Sequence, residues 1–159
     1  MIFLTVGSQM PFDRLVIAVD EWARENSAND VFGQIGNSQV VPKHIRTAPT
    51  LSPPEFRQRI QKADLIVAHA GMGSVLTALE FGKPIVVMPR QGSLHETRND
   101  HQVATAHWLS QKPGIYVADN EQAIPEILNT ALADQISPTS ISPYASQSLI
   151  KALRDFIEL

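Results

Sequence analysis

Short apolar runs along the chain alternate with longer stretches in which apolar residues recur every three or four positions. The runs predict strands over 2–6, 31–35, 45–48, 64–68, 84–88 and 115–118, and the longer period between them predicts helices over 12–25, 53–62, 74–82, 98–110 and 121–133. Continuous apolar strands are what a parallel sheet buried on both faces requires, and helices between them supply the crossovers. The expected fold is therefore α/β, a doubly wound parallel sheet of Rossmann-like form. The firmest boundary is Ser52-Pro53-Pro54-Glu55, with Ser52 as N-cap, proline at the first helical position and Glu55 placed to reach back. Residues 135–143 gather Ser, Pro and Thr and predict a surface connection to a last helix near 144–158. That helix carries an apolar stripe of Leu149, Leu153, Phe156 and Ile157, which suits a docking element or ordinary core, with core favoured for most of it.

Composition narrows the class. With 159 residues and 43% hydrophobic content, the chain is expected to be one domain, 1–159, with one core. A formal net charge of -3 and the lack of a basic run argue against nucleic acid as a partner. The absence of cysteine excludes disulfides and thiolate-bound zinc, so a cytoplasmic location is the default expectation. The opening Met1–Val6 has no basic leader and meets Gly7, so it reads as a strand and not as a signal peptide. No apolar run approaches the roughly 20 residues that span a bilayer, so any membrane association is expected through a partner or a surface patch.

In an open parallel sheet, ligands sit beyond the carboxyl ends of the strands, and three loops there hold candidate chemistry. Gly7-Ser8-Gln9 follows the first strand; its glycine lets backbone approach a ligand, and Ser8 and Gln9 offer hydrogen-bond donors. His69-Ala70-Gly71-Met72-Gly73-Ser74 follows the strand 64–68 and opens a helix. Its small residues leave the first-turn amides uncovered, where an anion such as phosphate is favoured, and His69 adds a further donor. The same glycines also suit plain strand–helix packing around a buried histidine. The third loop, Pro89 to Gln102, is densely polar; Asn99, Asp100, His101 and Gln102 can all bond to sugar hydroxyls, or Asn99 can simply cap the next helix. A phosphate-type loop and a hydroxyl-binding loop on consecutive strands together point to a sugar diphosphate. His95, His101 and His107, six apart, face different sides of a helix, and there is no Asp-x-Asp, so no bound metal and no cofactor are expected.

Read in order, four elements resemble the C-terminal, donor-binding domain of GT-B glycosyltransferases of the MurG type, family 28. They are Ile2-Phe3-Leu4-Thr5-Val6-Gly7-Ser8 with Phe12-Asp13-Arg14-Leu15, then His69 to Ser74, then Gly82-Lys83-Pro84, then Asn99-Asp100-His101-Gln102. The resemblance covers about residues 1–134 and extends to the small single-domain members, which serve dolichol-linked GlcNAc transfer and bacterial exopolysaccharide synthesis. It implies that Gly7, Ser8, Gln9, His69, Gly71, Met72, Gly73 and Ser74 lie at the diphosphate of a UDP-sugar. It also implies that Asn99, Asp100, His101 and Gln102 approach the donor sugar. Many relatives hold the ribose with a glutamate three residues after the loop serine; here that position is Thr77, and Glu80, one turn on, is the substitute.

The activity so implied is inverting transfer of a sugar from a UDP-sugar to an acceptor, lipid-linked in the single-domain relatives. The general base and acceptor site belong to a domain this sequence lacks, so the implied partner is a membrane-anchored, acceptor-binding subunit, with this chain at the inner face of the membrane. Two rivals stay open: a non-enzymatic nucleotide-sugar-binding module for regulation or scaffolding, and a self-sufficient homodimeric transferase or epimerase.

Overall fold

The computed structural model describes residues 1–157 apart from 29, 135, 137, 139 and 143. The described elements run β1 Ile2–Thr5, α1 Asp13–Glu25, β2 Val31–Gln34, β3 Arg46–Ala48, α2 Pro53–Lys62, β4 Leu65–His69, α3 Met72–Glu80, β5 Ile85–Met88, α4 His101–Leu109, β6 Ile115–Val117, α5 Ile124–Asp134 and α6 Gln147–Ile157. All six strands are parallel, in the order β3-β2-β1-β4-β5-β6. The winding reverses between β1 and β4, which places the switch point, and the crevice it opens, at the ends of those two strands.

The alternation of side chains along each strand divides the single core expected from the sequence into two clusters, one on each face of the sheet. Leu4, Val67, Val86 and Met88 pack under α1 and α5 with Leu15, Val19, Trp22, Ile124 and Leu128. Phe3, Ile66, Ile85 and Val87 pack on the other face under α2, α3 and α4 with Ile60, Val75, Ala78, Ala106 and Leu109. The doubly wound α/β sheet expected from the apolar runs is the fold observed.

Boundaries differ where side chains compete with backbone. The helix expected over 74–82 starts at Met72, because Gly71 takes the extended N-cap conformation (φ -94°, ψ 132°). The helix expected from 98 starts at His101. Residues 98–100 form a turn instead, in which Asn99 Oδ1 accepts from His101 N (3.3 Å) and Asp100 Oδ1 accepts from Gly92 N (2.7 Å). The stretch 121–123 is a 3₁₀ turn capped by the Asn120 side chain, and α5 begins at Ile124, just ahead of Pro125, which the first helical turn tolerates. At Ser52 the capping box forms as expected, with Glu55 Oε2 accepting from Ser52 N (2.9 Å).

The expected connection over 135–143 includes positions 135, 137, 139 and 143, which lie outside the described residues, as does residue 158 of the last helix. Its described part is tied to α3: Ile141 N donates to Leu79 O (3.2 Å) and Ser140 Oγ to Glu80 O (3.0 Å). The core reading of the last helix is corrected. No described residue of α6 is buried, and Leu149, Leu153, Phe156 and Ile157 are 51%, 52%, 76% and 78% exposed.

Candidate functional site

A cleft of about 730 Å³ opens beyond the carboxyl ends of β1, β2 and β4. Its floor is the turn after β1 and the turn after β4. Gly7 has a positive φ of 79°, a conformation open to glycine, and a Cβ there would stand 2.8 Å from His69 Nε2. A Cβ on Gly71 would run into the same imidazole from the other turn. The two glycines therefore exist to seat the His69 ring. Gly73 differs: a Cβ there would meet nothing within 4 Å. It faces open cleft, on the first turn of α3, where the amides of Met72, Gly73 and Ser74 precede the first intrahelical acceptor. The positive end of the helix thus meets the cleft where backbone is least covered.

Three loops are locked around this floor by buried polar groups. The Arg90 side chain, in a residue only 4% exposed, donates to the carbonyls of Val6 (2.7 Å), Met10 (2.6 Å), Pro11 (2.7 Å) and Glu96 (3.2 Å), with its guanidinium 4.6 Å from the centre of the Phe12 ring. It therefore pins both shoulders of the Ser8–Gln9 turn to the loop after β5. Burial holds this guanidinium below the ordinary arginine range, Glu96 opposing and Arg14 adding to the shift. Glu96 is itself clasped by Arg14 (2.6 and 2.9 Å) and accepts from Gln91 N (3.0 Å). Burial alone would lower Arg14, but its bonds to Glu96 and Glu121 prevail and raise it. From the other side, buried Gln34 accepts from Thr5 Oγ1 (2.6 Å) and donates to Gly7 O (2.9 Å) and Pro49 O (3.1 Å), joining the turns after β1 and β3.

The residues expected at the sugar separate into two groups. His101 and Gln102 line the cleft, whereas Asn99 and Asp100 are engaged within their own turn. Asn99 Oδ1 bonds to His101 Nδ1, and because that oxygen also accepts from His101 N, Nδ1 is the donor. Gln102 is 6% exposed and spends its amide on Arg90 N and His69 Nδ1. Burial, with Arg90 and His101 adding to it, lowers the His69 pKa to about 4, so the ring is neutral at physiological pH.

Of the diphosphate set, Gly7, Ser8, Gln9, His69, Gly71, Gly73 and Ser74 all line the cleft, and the side chain of Met72 turns outward, 41% exposed. Of the two ribose candidates, Thr77 lines the cleft and gives its hydroxyl to Gly73 O (2.8 Å). Glu80 lies outside the lining, its carboxylate held by Arg57 of α2 at 2.6 and 3.2 Å. Sequence reasoning missed Gln34, Arg90, Glu96 and the wall formed by Leu51, Phe56 and Arg57. The signal for Gln34 was present, as a lone amide closing an otherwise apolar strand. Arg90 looked like one more polar loop residue, since its partners are carbonyls from distant turns. Among the described residues, no three His, Asp or Glu side chains come together to hold a metal ion, and no helix is long and apolar enough to cross a membrane.

A Rossmann-like sheet here carries a glycine-seated histidine and an uncovered helix N-terminus at its switch point, the place where open parallel sheets commonly receive their ligands. The chain belongs to the glycosyltransferase family 28 C-terminal domain, which it matches over residues 1–159. It is 35% identical over 125 residues to the human UDP-N-acetylglucosamine transferase subunit ALG13, covering 72% of this chain and 11% of that protein. The Yarrowia lipolytica protein of the same name is 25% identical over 138 residues, covering 78% of this chain and 67% of the relative. Among solved structures, ALG13 superimposes with a TM-score of 0.61 at 16% identity, covering 96% of this chain and 93% of that one. Acinetobacter baumannii MurG gives 0.63 at 18% identity, covering 84% of this chain and 42% of that one. These likenesses establish the fold as that of the GT-B C-terminal domain. The chain thus spans about a tenth of the human relative it matches and two thirds of the Yarrowia one.

Proposed function

We propose that this chain is the donor-binding part of an inverting glycosyltransferase, receiving a UDP-sugar by its diphosphate and passing the sugar to a lipid-linked acceptor presented by a separate membrane-anchored subunit. The observation that carries the reading is the convergence of Gly73, Ser74, His69 and the Gly7–Gln9 turn on one cleft that His101 also lines. Family membership supports it, as do relatives whose name specifies a UDP-N-acetylglucosamine transferase subunit. The nucleoside is assigned to the wall of Leu51, Phe56, Arg57 and Thr77.

In the proposed reaction an acceptor hydroxyl oxygen attacks the anomeric carbon from the face opposite the leaving group. The bond from that carbon to the β-phosphate oxygen breaks, and its electron pair leaves with UDP. This domain stabilises the charge that builds on the diphosphate: the first amides of α3 and the His69 N–H are aligned before reaction and need no reorganisation, usually the largest contribution in such sites. The proton lost by the acceptor goes to a base on the partner subunit. The exposed apolar stripe of α6 is the proposed docking element for that subunit.

Calorimetric titration with UDP, UDP-GlcNAc, UDP-glucose, UDP-glucuronate, GDP and TDP-glucose, with and without EDTA, tests the donor half. Selective uridine-nucleotide binding unaffected by EDTA is the expected result. Equal binding of GDP, or none of any nucleotide with the acceptor subunit also present, would refute the reading. Transfer to a lipid-linked acceptor in membranes carrying that subunit then separates an enzyme from a binding module.

A further inference from the structure

Gln102 sits on the first turn of α4 and each end of its buried amide has one partner: Oε1 faces Arg90 N at 3.2 Å, and Nε2 faces His69 Nδ1 at 3.3 Å. A main-chain N–H only donates, so the end turned to Arg90 N is the oxygen. The NH₂ group is thereby turned to His69, and it too only donates. His69 Nδ1 must accept, so the single proton of the neutral ring lies on Nε2. Had the glutamine oxygen faced Nδ1, it would have favoured the protonated ring; Arg90 N–H has taken that oxygen. The ring is confined by Gly7 and Gly71 in this orientation, and turning it over would put carbon where Gln102 finds Nδ1.

We propose that Gln102 is a positioning residue that holds His69 as the neutral Nε2–H tautomer, so that an N–H donor always faces the Gly7 side of the cleft. The assignment rests on the donor-binding reading for its ligand and deepens it. The diphosphate would be met by a neutral donor and not by an imidazolium. The His69 contact would then keep the same donor and the same charge as solution pH crosses the ordinary histidine range. The charged and titratable groups whose fields reach the ring are Arg90, from the loop after β5, and His101, next to Gln102 on α4; both oppose its protonation. Their like charge and the Gln102 N–H thus act in the same direction.

Long-range ¹H–¹⁵N correlation spectra of the ¹⁵N-labelled chain distinguish the ring nitrogens directly. In the wild type, Nδ1 of His69 is expected to be pyridine-like and Nε2 pyrrole-like from about pH 5.5 to 8. In Gln102→Glu a carboxylate faces Nδ1, so the ring should carry its proton on Nδ1 and its pKa should rise. UDP affinity should then fall about tenfold as pH rises through that new pKa, because Nε2 loses its proton. Gln102→Leu, should the charged variant not fold, is expected to give a mixture of tautomers with the remaining amide spectrum unchanged. A pyrrole-like Nδ1 in the wild type, or variants with the wild-type tautomer and a flat pH profile, would overturn the assignment. A wild-type chain that shows the tautomer yet binds no UDP refutes the donor-binding reading and leaves the tautomer assignment standing.

Discussion

Three glycines border the same cleft, and the space a Cβ would enter separates their roles. At Gly7 and Gly71 that space is filled by the His69 ring, and at Gly7 the backbone is left-handed as well; at Gly73 it is empty. Gly71→Ala should displace the ring, and Gly7→Ala should add backbone strain of roughly 1–2 kcal/mol, so both should lower Tm and UDP affinity together. Gly73→Asp puts a carboxylate into open cleft at a helix N-terminus, where an acidic side chain suits the fold. Its Tm should stay within a few degrees of wild type while UDP binding is lost to like-charge repulsion. Thermal melts beside calorimetry distinguish the two patterns, and a Gly73→Asp chain that still binds UDP would remove α3 from the site. The loop motif His69–Ser74 made these residues legible as a group from sequence. Which glycine spares a side chain and which spares a ligand was not legible, because the deciding neighbour of Gly7 is 62 positions away in the chain. Gln102 shows the same limit: its chemistry suits a sugar hydroxyl, but burial commits it to Arg90 and His69.

At the scale of elements, the site depends on loops that have no regular structure of their own and are held by side chains from elsewhere. Arg90 is the main fastener, tying the carbonyls on either side of Ser8 and Gln9 to the loop that leads into α4. Lysine cannot reproduce a planar fork across four separate carbonyls. Arg90→Lys should therefore cost about 1.5–3 kcal/mol of stability and weaken UDP more than uridine, since the Arg90 side chain bonds to both shoulders of the turn assigned to the diphosphate and to none of Leu51, Phe56 and Arg57, the wall assigned to the nucleoside. Chemical denaturation and NMR titration with the two ligands measure these effects; equal losses for both ligands would make Arg90 a purely structural group. The order of strands and helices could be read from the apolar periods because two-faced burial imposes them on the sequence. Helix starts at 72, 101 and 124 could not, because local side-chain bonds and Gly71 decide them after the period has been set. α6 is the converse case. Its period is strong, yet no described residue of it is buried, so the pattern declares a helix without declaring what it packs on. Deleting the chain after Ser146 should leave Tm and UDP affinity nearly unchanged while abolishing co-purification with the proposed membrane subunit; a large loss of Tm would return α6 to the core.

For the whole molecule, seating a histidine as a neutral donor at the centre of the fold has a stability consequence with a definite sign. Unfolded, the His69 ring has an ordinary pKa near 6.5; folded, burial with the fields of Arg90 and His101 lowers it to about 4. Below 6.5 the unfolded chain takes up a proton that the folded chain refuses. Stability is therefore full above about pH 6.5 and declines as pH falls toward 4, by up to about 3 kcal/mol from this one group. The lowered carboxylates act in the same direction but in a lower window. Asp20, for example, accepts from the amides of Lys43, His44 and Ile45, and its contribution is lost only as pH drops through its depressed folded pKa. His69→Gln keeps a polar group of similar size without a titration near neutrality. It should flatten the decline between pH 6.5 and 4 and leave the steeper loss below pH 4. Urea denaturation at half-unit pH steps would resolve the two windows. An unchanged slope in His69→Gln would mean that the ring accepts its proton in the folded chain. The cleft would then receive its anion with a charge that comes and goes with pH.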